Sequence, residues 1–281
     1  MPFHENGFLG EDADRFVKEH RAQFKTVFEL ARKINRLAHS LMNDLKVQRV
    51  GACENAGVAL YLRVLNSYAS TFRLMEFGLG IDAGTVLRSC VESTVFLKKI
   101  SKEPQWATEY IRASEEKRLR FIKQIQADKT GKLNFMKSDP KKVQSERERL
   151  EAAGFGDGPH EFKVAQIAST VGLEDIYNTA YRYLSENSTH SSARSLESHL
   201  DQNAQGKVVG LKHLPIVDDN RLMFTIASTS LIVAMSALLE LFEPDPAKPH
   251  VQAKLQLIYD LKGECEIEAQ KQLDPIEAER L

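Results

Sequence analysis

Residues Met223–Leu239 run for 17 positions without a charge and stop at Glu240. A helix that is apolar on every side has to be covered on every side. The run falls short of the roughly 20 mostly apolar residues that cross a bilayer. It also holds Thr225, Ser228, Thr229, Ser230 and Ser236. It therefore reads as the central buried helix of a globular core, from Asp218 to Leu241, and the rest of the chain has to supply the elements that pack around it.

Those elements are visible in the spacing. Phe24, Val27, Ala31, Ile34, Ala38, Leu41 and Leu45 step by three and four, which predicts one helix from Asp12 to Leu45. Tyr61, Leu65, Tyr68, Phe72 and Met75 predict a second over Asn55 to Phe77, stopped by Gly78-Leu79-Gly80. Asp82 can cap a third that carries Val86, Leu87, Cys90, Val91, Val95 and Phe96. It ends at Lys98-Lys99, where cations suit the helix dipole. Glu103-Pro104 opens a fourth to about Asp128. Residues 143–153 predict a short exposed helix, Phe162 to Val171 and Leu173 to Asn187 two more, and Ala193 to Leu200 a helical continuation. A last amphipathic helix runs from His250 to about Leu273, and Lys207 to Ile216 is the one extended stretch. The fold class is all-α: a multi-helix antiparallel bundle with irregular excursions near residues 129–160 and 203–217. The expected organisation is a single helical domain over 1–273 and an acidic tail over 274–281. No repeat of 30 to 45 residues is present, which excludes a solenoid.

Charge excludes other classes. The 38 Lys and Arg nearly balance the 39 Asp and Glu, so no overall field draws the chain to nucleic acid or membrane. Locally the balance breaks. Lys98 to Arg149 holds 15 basic and 8 acidic residues, and Ser236 to Leu281 holds 5 and 10. These are two solvated faces of opposite sign, or the first is a polyanion-facing segment. In the second case Arg118 and Arg120 are ligand contacts, with Trp106, Phe121 and Phe135 as stacking residues. The three cysteines (Cys53, Cys90, Cys265) form no CxxC pair and fit a reducing cytoplasm. The opening MPFHENGFLGEDADRF is polar and acidic, unlike a signal peptide. The expected location is cytoplasmic, with no membrane association.

Two places carry candidate chemistry. Arg88 and Glu92, in LRSCVESTVFL, lie four apart on one helix face and can pair. Apolar neighbours make this pair either a structural feature or a functional one. The second is the run from Tyr177 to Ser192. His190 sits there among Ser188, Thr189, Ser191 and Ser192. Imidazole is the group best suited to proton transfer near neutral pH, and the hydroxyls could orient it. The plainer reading is a capping segment with a surface His.

The blocks LRSCVESTVFLKKISKEPQWATEYIRASEEKRLR and YNTAYRYLSENSTHSSARSLESHL resemble domain-of-unknown-function family 5677, helical proteins of bacteria. The likeness covers about residues 80–200. The family pattern has an Arg with a Glu four residues on, then a Tyr/Ser/His block. It falls on Arg88 and Glu92, then on Tyr181, Ser185 and His190. That marks a site without naming a reaction. The chain also resembles HEPN ribonucleases, in which an Arg is followed after four to six residues by a His. Arg194 and His199 fit, as do Arg32 and His39; Arg182 to His190 does not. This second resemblance implies metal-independent RNA cleavage, with His as acid or base and Arg on the scissile phosphate. It further implies a homo-oligomer, in phage defence or a toxin–antitoxin pair.

No P-loop, HExxH, GxSxG or kinase set is present. Glu186 and His190, with Glu197, His199 and Asp201, could in principle hold a metal, but no metal and no cofactor are expected. Two readings follow. One is an effector that binds and cleaves RNA or acts on another phosphate-bearing ligand. The other is a non-catalytic interaction or sensor module, with Arg88, Glu92 and His190 as a packing network and a protein partner for the basic segment. Either way Arg88, Glu92 and His190 are expected in one cleft, with Glu92, Ser185 and Tyr181 as acceptors for the guanidinium.

Overall fold

The computed structural model describes residues 7–45, 51–131, 139–156, 162–189, 196–197, 199–212, 214–217 and 219–270. Among them the chain is all-α apart from one two-stranded hairpin. The helices are α1 (Glu11–Gln23), α2 (Lys25–Asn43), α3 (Ala52–Glu76), α4 (Gly80–Lys102), α5 (Trp106–Ala127), α6 (Pro140–Ala152) and α7 (Val164–Thr170). Residues 174–189 form one further helical segment, α8. The strands β1 (Leu200–Gln202) and β2 (Val208–Leu211) follow, then α9 (Asn220–Phe242) and α10 (Pro249–Gln270).

The uncharged run is α9, and it lies at the centre. It packs along α3 and α4 on one side and α2 and α10 on the other. Phe224, Leu231, Met235 and Leu238 are fully buried. By length and composition α9 could cross a membrane, yet 72% of its most apolar window is buried inside the fold. Three of its hydroxyls are absorbed locally: Thr225, Ser230 and Ser236 donate to the carbonyls of Arg221, Ile226 and Ile232 at 3.0, 2.8 and 3.2 Å. Glu240, the first charge after the run, accepts from Lys98 at 2.6 Å and from Ser101 at 2.9 Å, both on α4.

Small residues set the closest crossings. A Cβ on Gly57 of α3 would collide with Leu241 of α9. Gly78, at φ +73°, turns α3 into α4 in a backbone region that L side chains rarely adopt. Two buried tyrosines then fix the register of α2 against α3. Tyr61 donates to the Ala38 carbonyl at 2.9 Å and Tyr68 to the Ala31 carbonyl at 3.1 Å.

Four local features differ from the sequence expectation. The helix predicted over Asp12 to Leu45 is kinked at Phe24 (φ −105°, ψ 33°), although the hydrogen-bond ladder runs through. The kink separates the apolar stripe of α2 from an α1 that buries His20 between Phe16, Phe24 and Phe28. The fourth helix begins at Trp106, because Pro104 lies in a turn closed by Trp106 N–H on the Glu103 carbonyl. The extended stretch finds its partner in Leu200–Gln202, which begins at the last residue of the expected helical continuation. Finally, α8 is largely π-helical, over Tyr177–Tyr181 and Ser185–Thr189. Phe135 and the tail 274–281 lie outside the described residues.

The basic surplus of residues 98–149 is largely met within the fold. Arg118 pairs with Glu146 at 3.0 Å, Arg149 with Glu115 at 3.1 Å and Lys123 with Glu151 at 3.4 Å, a ladder between α5 and α6. The helices share a small apolar cluster of Leu119, Ile122 and Leu150. Trp106 is core, packed against Phe96, Tyr110 and Phe162.

Candidate functional site

Thr85, Arg88 and Glu92 step by three and four along α4 and so share a face. That face meets α8 at close range. A Cβ on Gly84 would collide with the Ser188 side chain, and Thr85 Oγ1 donates to the Ser188 carbonyl at 2.8 Å. A π-turn adds a residue to a helical turn and re-aims the side chains around it; such turns recur at functional sites. Here Tyr177 and Tyr181 stack at 5.0 Å with an interplanar angle of 21°. Tyr181 and Ser185 both reach Arg88.

The guanidinium is held in three ways. Arg88 Nε donates to Ser185 Oγ at 2.9 Å, Arg88 Nη2 donates to Tyr181 Oη at 2.5 Å, and Arg88 Cζ lies 4.6 Å from the Tyr181 ring centroid. Ser185 in turn donates to the Tyr181 carbonyl at 2.8 Å, which fixes its hydroxyl as an acceptor toward Arg88. Two of the five guanidinium N–H bonds are engaged. No carboxylate pairs with Arg88 among the described residues. The i, i+4 pairing with Glu92 is therefore not made: the guanidinium reaches across to α8 instead of along α4.

Glu92 is half-buried and acts at longer range. Burial raises the Tyr181 phenol above its ordinary value, Glu92 raises it further, and Arg88 opposes both. Burial also raises Tyr110 of α5; Arg63 opposes, and Glu92 adds to the rise. Both phenols thus remain protonated donors near neutral pH. Tyr181 Oη accepts from Arg88, and its own proton has no acceptor among the described residues. The face offers unused N–H groups, a phenol O–H and a nearby carboxylate.

Other sequence candidates fall elsewhere. Arg118 is tied into the α5–α6 ladder, and Arg120 lies half-buried on α5. His199 lines a cavity of about 630 Å³ at the start of α4, together with Asp82 and Lys212, and its carbonyl accepts from Lys212 N–H at 2.8 Å. Arg32 is bonded to Glu76, and His39 is exposed on α2. His190 and Arg194 lie outside the described residues. No group of three metal-ligating side chains occurs among the described residues.

Sequence reasoning missed a second polar centre. Glu76 ends α3 with its side chain 5% exposed and accepts from Arg21 at 2.6 Å, Arg73 at 2.9 Å and Arg32 at 3.2 Å. A carboxylate at a helix C-terminus faces the negative end of the dipole, and that clash was the available signal that cations must converge on it.

A family model described as a family of unknown function, DUF5677, matches residues 54–207. No curated protein and no solved structure matches. The matched span contains all but the first two residues of α3, the whole of α4 and α8, and with them Arg88, Glu92, Tyr181 and Ser185; since it takes in more than half of the chain, the chain belongs to the DUF5677 family.

Proposed function

We propose that the α4–α8 face binds a phosphate-bearing ligand, RNA by class, and cleaves RNA without a metal ion. One observation carries the reading: Arg88 is half-buried and its fixed partners, Ser185 and Tyr181, are neutral. A desolvated cation favours a counter-charge. Neutral partners set its geometry and leave the charge for an arriving oxyanion, the role for which guanidinium is well suited. The Tyr181 O–H adds a second donor beside it.

The cleavage step rests on the resemblance to HEPN ribonucleases. In it a His takes the proton of a 2′-hydroxyl, the 2′-oxygen attacks phosphorus, and the bond to the 5′-oxygen breaks. The departing oxygen is reprotonated and a 2′,3′-cyclic phosphate forms. His190 is the proposed acid–base group, with Arg194 and His199 as the HEPN-type pair and Arg118 and Arg120 along the strand. The same resemblance supplies the setting: a homo-oligomeric bacterial effector in phage defence or a toxin–antitoxin pair.

A second reading has its own observation. Two Arg88 N–H bonds and the Thr85 hydroxyl already tie α4 to α8, as a packing network would. Fluorescence anisotropy with a labelled single-stranded RNA, run with Arg88→Gln, separates the two. A lost charge-assisted bond is worth about 1.5–3 kcal/mol, or roughly 10- to 100-fold in affinity. That loss at an unchanged melting temperature supports ligand binding. A large fall in melting temperature, with no RNA bound by either form, supports the network. Cleavage persisting in EDTA and lost in His190→Ala supports the ribonuclease.

A further inference from the structure

A groove of about 380 Å³ lies between α8 and α9. Ala180 and Ile226, each 7% exposed, form its floor, and Ile176 and Tyr183 of α8 and Leu222 of α9 add apolar walls. Leu222 is 41% exposed and Ile176 and Tyr183 are half-buried, so these walls present surface to an arriving molecule. Among the described residues no charged side chain lines the groove. Small-molecule sites share this character: they are concave, mostly apolar and roughly 300–1,000 Å³ in volume, with few polar groups.

Three exposed threonines complete the lining, Thr179 on α8 and Thr225 and Thr229 on α9. Thr179 Oγ1 donates to the Asp175 carbonyl at 2.6 Å, and Thr225 Oγ1 donates to the Arg221 carbonyl at 3.0 Å. Their protons are spent on their own helices, so toward a ligand these two add chiefly methyl surface. Thr229 makes no hydrogen bond among the described residues, so its hydroxyl is left to bond a ligand.

The shape and the lack of charge choose the occupant. A partner helix is too wide to lie in the groove: one turn, about 10 Å across and about 5.4 Å long, fills roughly 420 Å³, more than the whole groove. An extended peptide would find helices on both walls and no strand edge, so its own N–H and C=O groups would go unpaired. A second copy would set groove against groove and leave the space unfilled. A charged small molecule would lose its hydration with no counter-charge to meet. We propose that the α8–α9 groove binds an uncharged, mainly aliphatic small molecule, with one hydroxyl or carbonyl on Thr229. At about 30 Å³ for each water-sized atom, 380 Å³ holds roughly a dozen non-hydrogen atoms. The groove uses residues of α8 other than Tyr181 and Ser185, so the proposal stands apart from RNA binding on the Arg88 face.

Displacement of the uncharged dye N-phenyl-1-naphthylamine from the full chain by 1-hexanol, 1-octanol and 1-decanol tests it. Saturable binding of one dye per chain is expected. Each added methylene should tighten the alcohol about fourfold, the transfer value for a buried CH₂. Octanoate at pH 8 should bind at least about tenfold more weakly than 1-octanol, because its charge has no partner in the groove. Thr229→Arg places bulk and charge in the groove from an exposed position and should abolish binding with the melting temperature held within a few degrees. Thr225→Val removes a hydroxyl already spent on its own helix and should leave the affinity within about twofold. Octanoate binding as tightly as 1-octanol, or a folded Thr229→Arg variant that binds dye as the parent does, overturns the proposal. So does a folded chain that binds neither dye nor decanol. A dimer that binds no dye and that Thr229→Arg dissociates would mean that a second copy covers the groove, and overturns it too.

Discussion

His20 and Asn220, 200 positions apart in sequence, meet with Asn220 Nδ2 2.9 Å from His20 Nε2. The amide can only donate there, so Nε2 is unprotonated and the ring proton sits on Nδ1, facing the Glu76 carbonyl at 3.3 Å. One neutral imidazole thus joins α1, the end of α3 and the start of α9.

That neutrality predicts a pH dependence. Burial holds the His20 pKa below its ordinary 6.5, with the Glu76 carbonyl and carboxylate opposing. The unfolded chain then takes up a proton that the folded ring refuses, so stability is complete above about pH 6.5 and falls as pH drops below it. Glu76 adds a second, lower step. Burial would raise it, but the hydrogen bonds from Arg21 and Arg73 outweigh burial, so stability is lost again as pH falls below about 4.5. Urea midpoints from pH 8 down to pH 4 should show the first decline, and His20→Gln should flatten it.

Glu76→Gln should lower stability by about 2–4 kcal/mol, the range for stranding charges whose partner was buried, reduced because the arginines are partly exposed. Urea denaturation at pH 7 measures it. A loss under about 0.5 kcal/mol would mean the arginines are satisfied by solvent alone.

Two glycines should respond in opposite directions. Gly84→Ala puts a methyl against Ser188 and should cost about 1–3 kcal/mol by forcing α8 off α4. Gly263→Ala lies in α10 with open space around it and should gain about 0.5–1 kcal/mol. Thermal melts of the two variants provide the comparison.

Tyr181→Phe keeps the stack on Tyr177 and the ring under Arg88 but removes the phenol oxygen. Stability should fall by about 1 kcal/mol for the lost acceptor. If Tyr181 is also a ligand donor, RNA affinity should fall about three- to tenfold further than stability explains. Anisotropy and melting on the same preparation resolve the two effects.

The parts legible in the sequence are those set by local pattern. A 17-residue uncharged run with five hydroxyl residues reads as a helix that must be covered on all sides, so α9 could be placed, and the turn at Gly78 followed from the glycines. The kink at Phe24 was not legible, because apolar steps of three and four continue across it. Nor were the π-turns of α8, since a single added residue leaves that spacing nearly intact. Tyr181 and Ser185 could be named as partners for Arg88, but the i, i+4 rule also favoured Glu92. Only the approach of α8, allowed by Gly84, decides between them. The Glu76 cluster draws its arginines from three helices; Arg73 is an i, i+3 neighbour of Glu76, but no spacing rule connects residues 21 and 32 to that pair.

The central position of α9 bears on how the protein is made. It leaves the ribosome after α1–α8 and the hairpin, so α3 and α4 emerge with the faces that will hold it bare. Until about Phe242 has cleared the exit tunnel, the nascent chain can pair α2 with α3 and α3 with α4 but cannot close around its middle. Folding to the native core therefore waits until α9 has emerged, and the waiting surface is one a chaperone would hold.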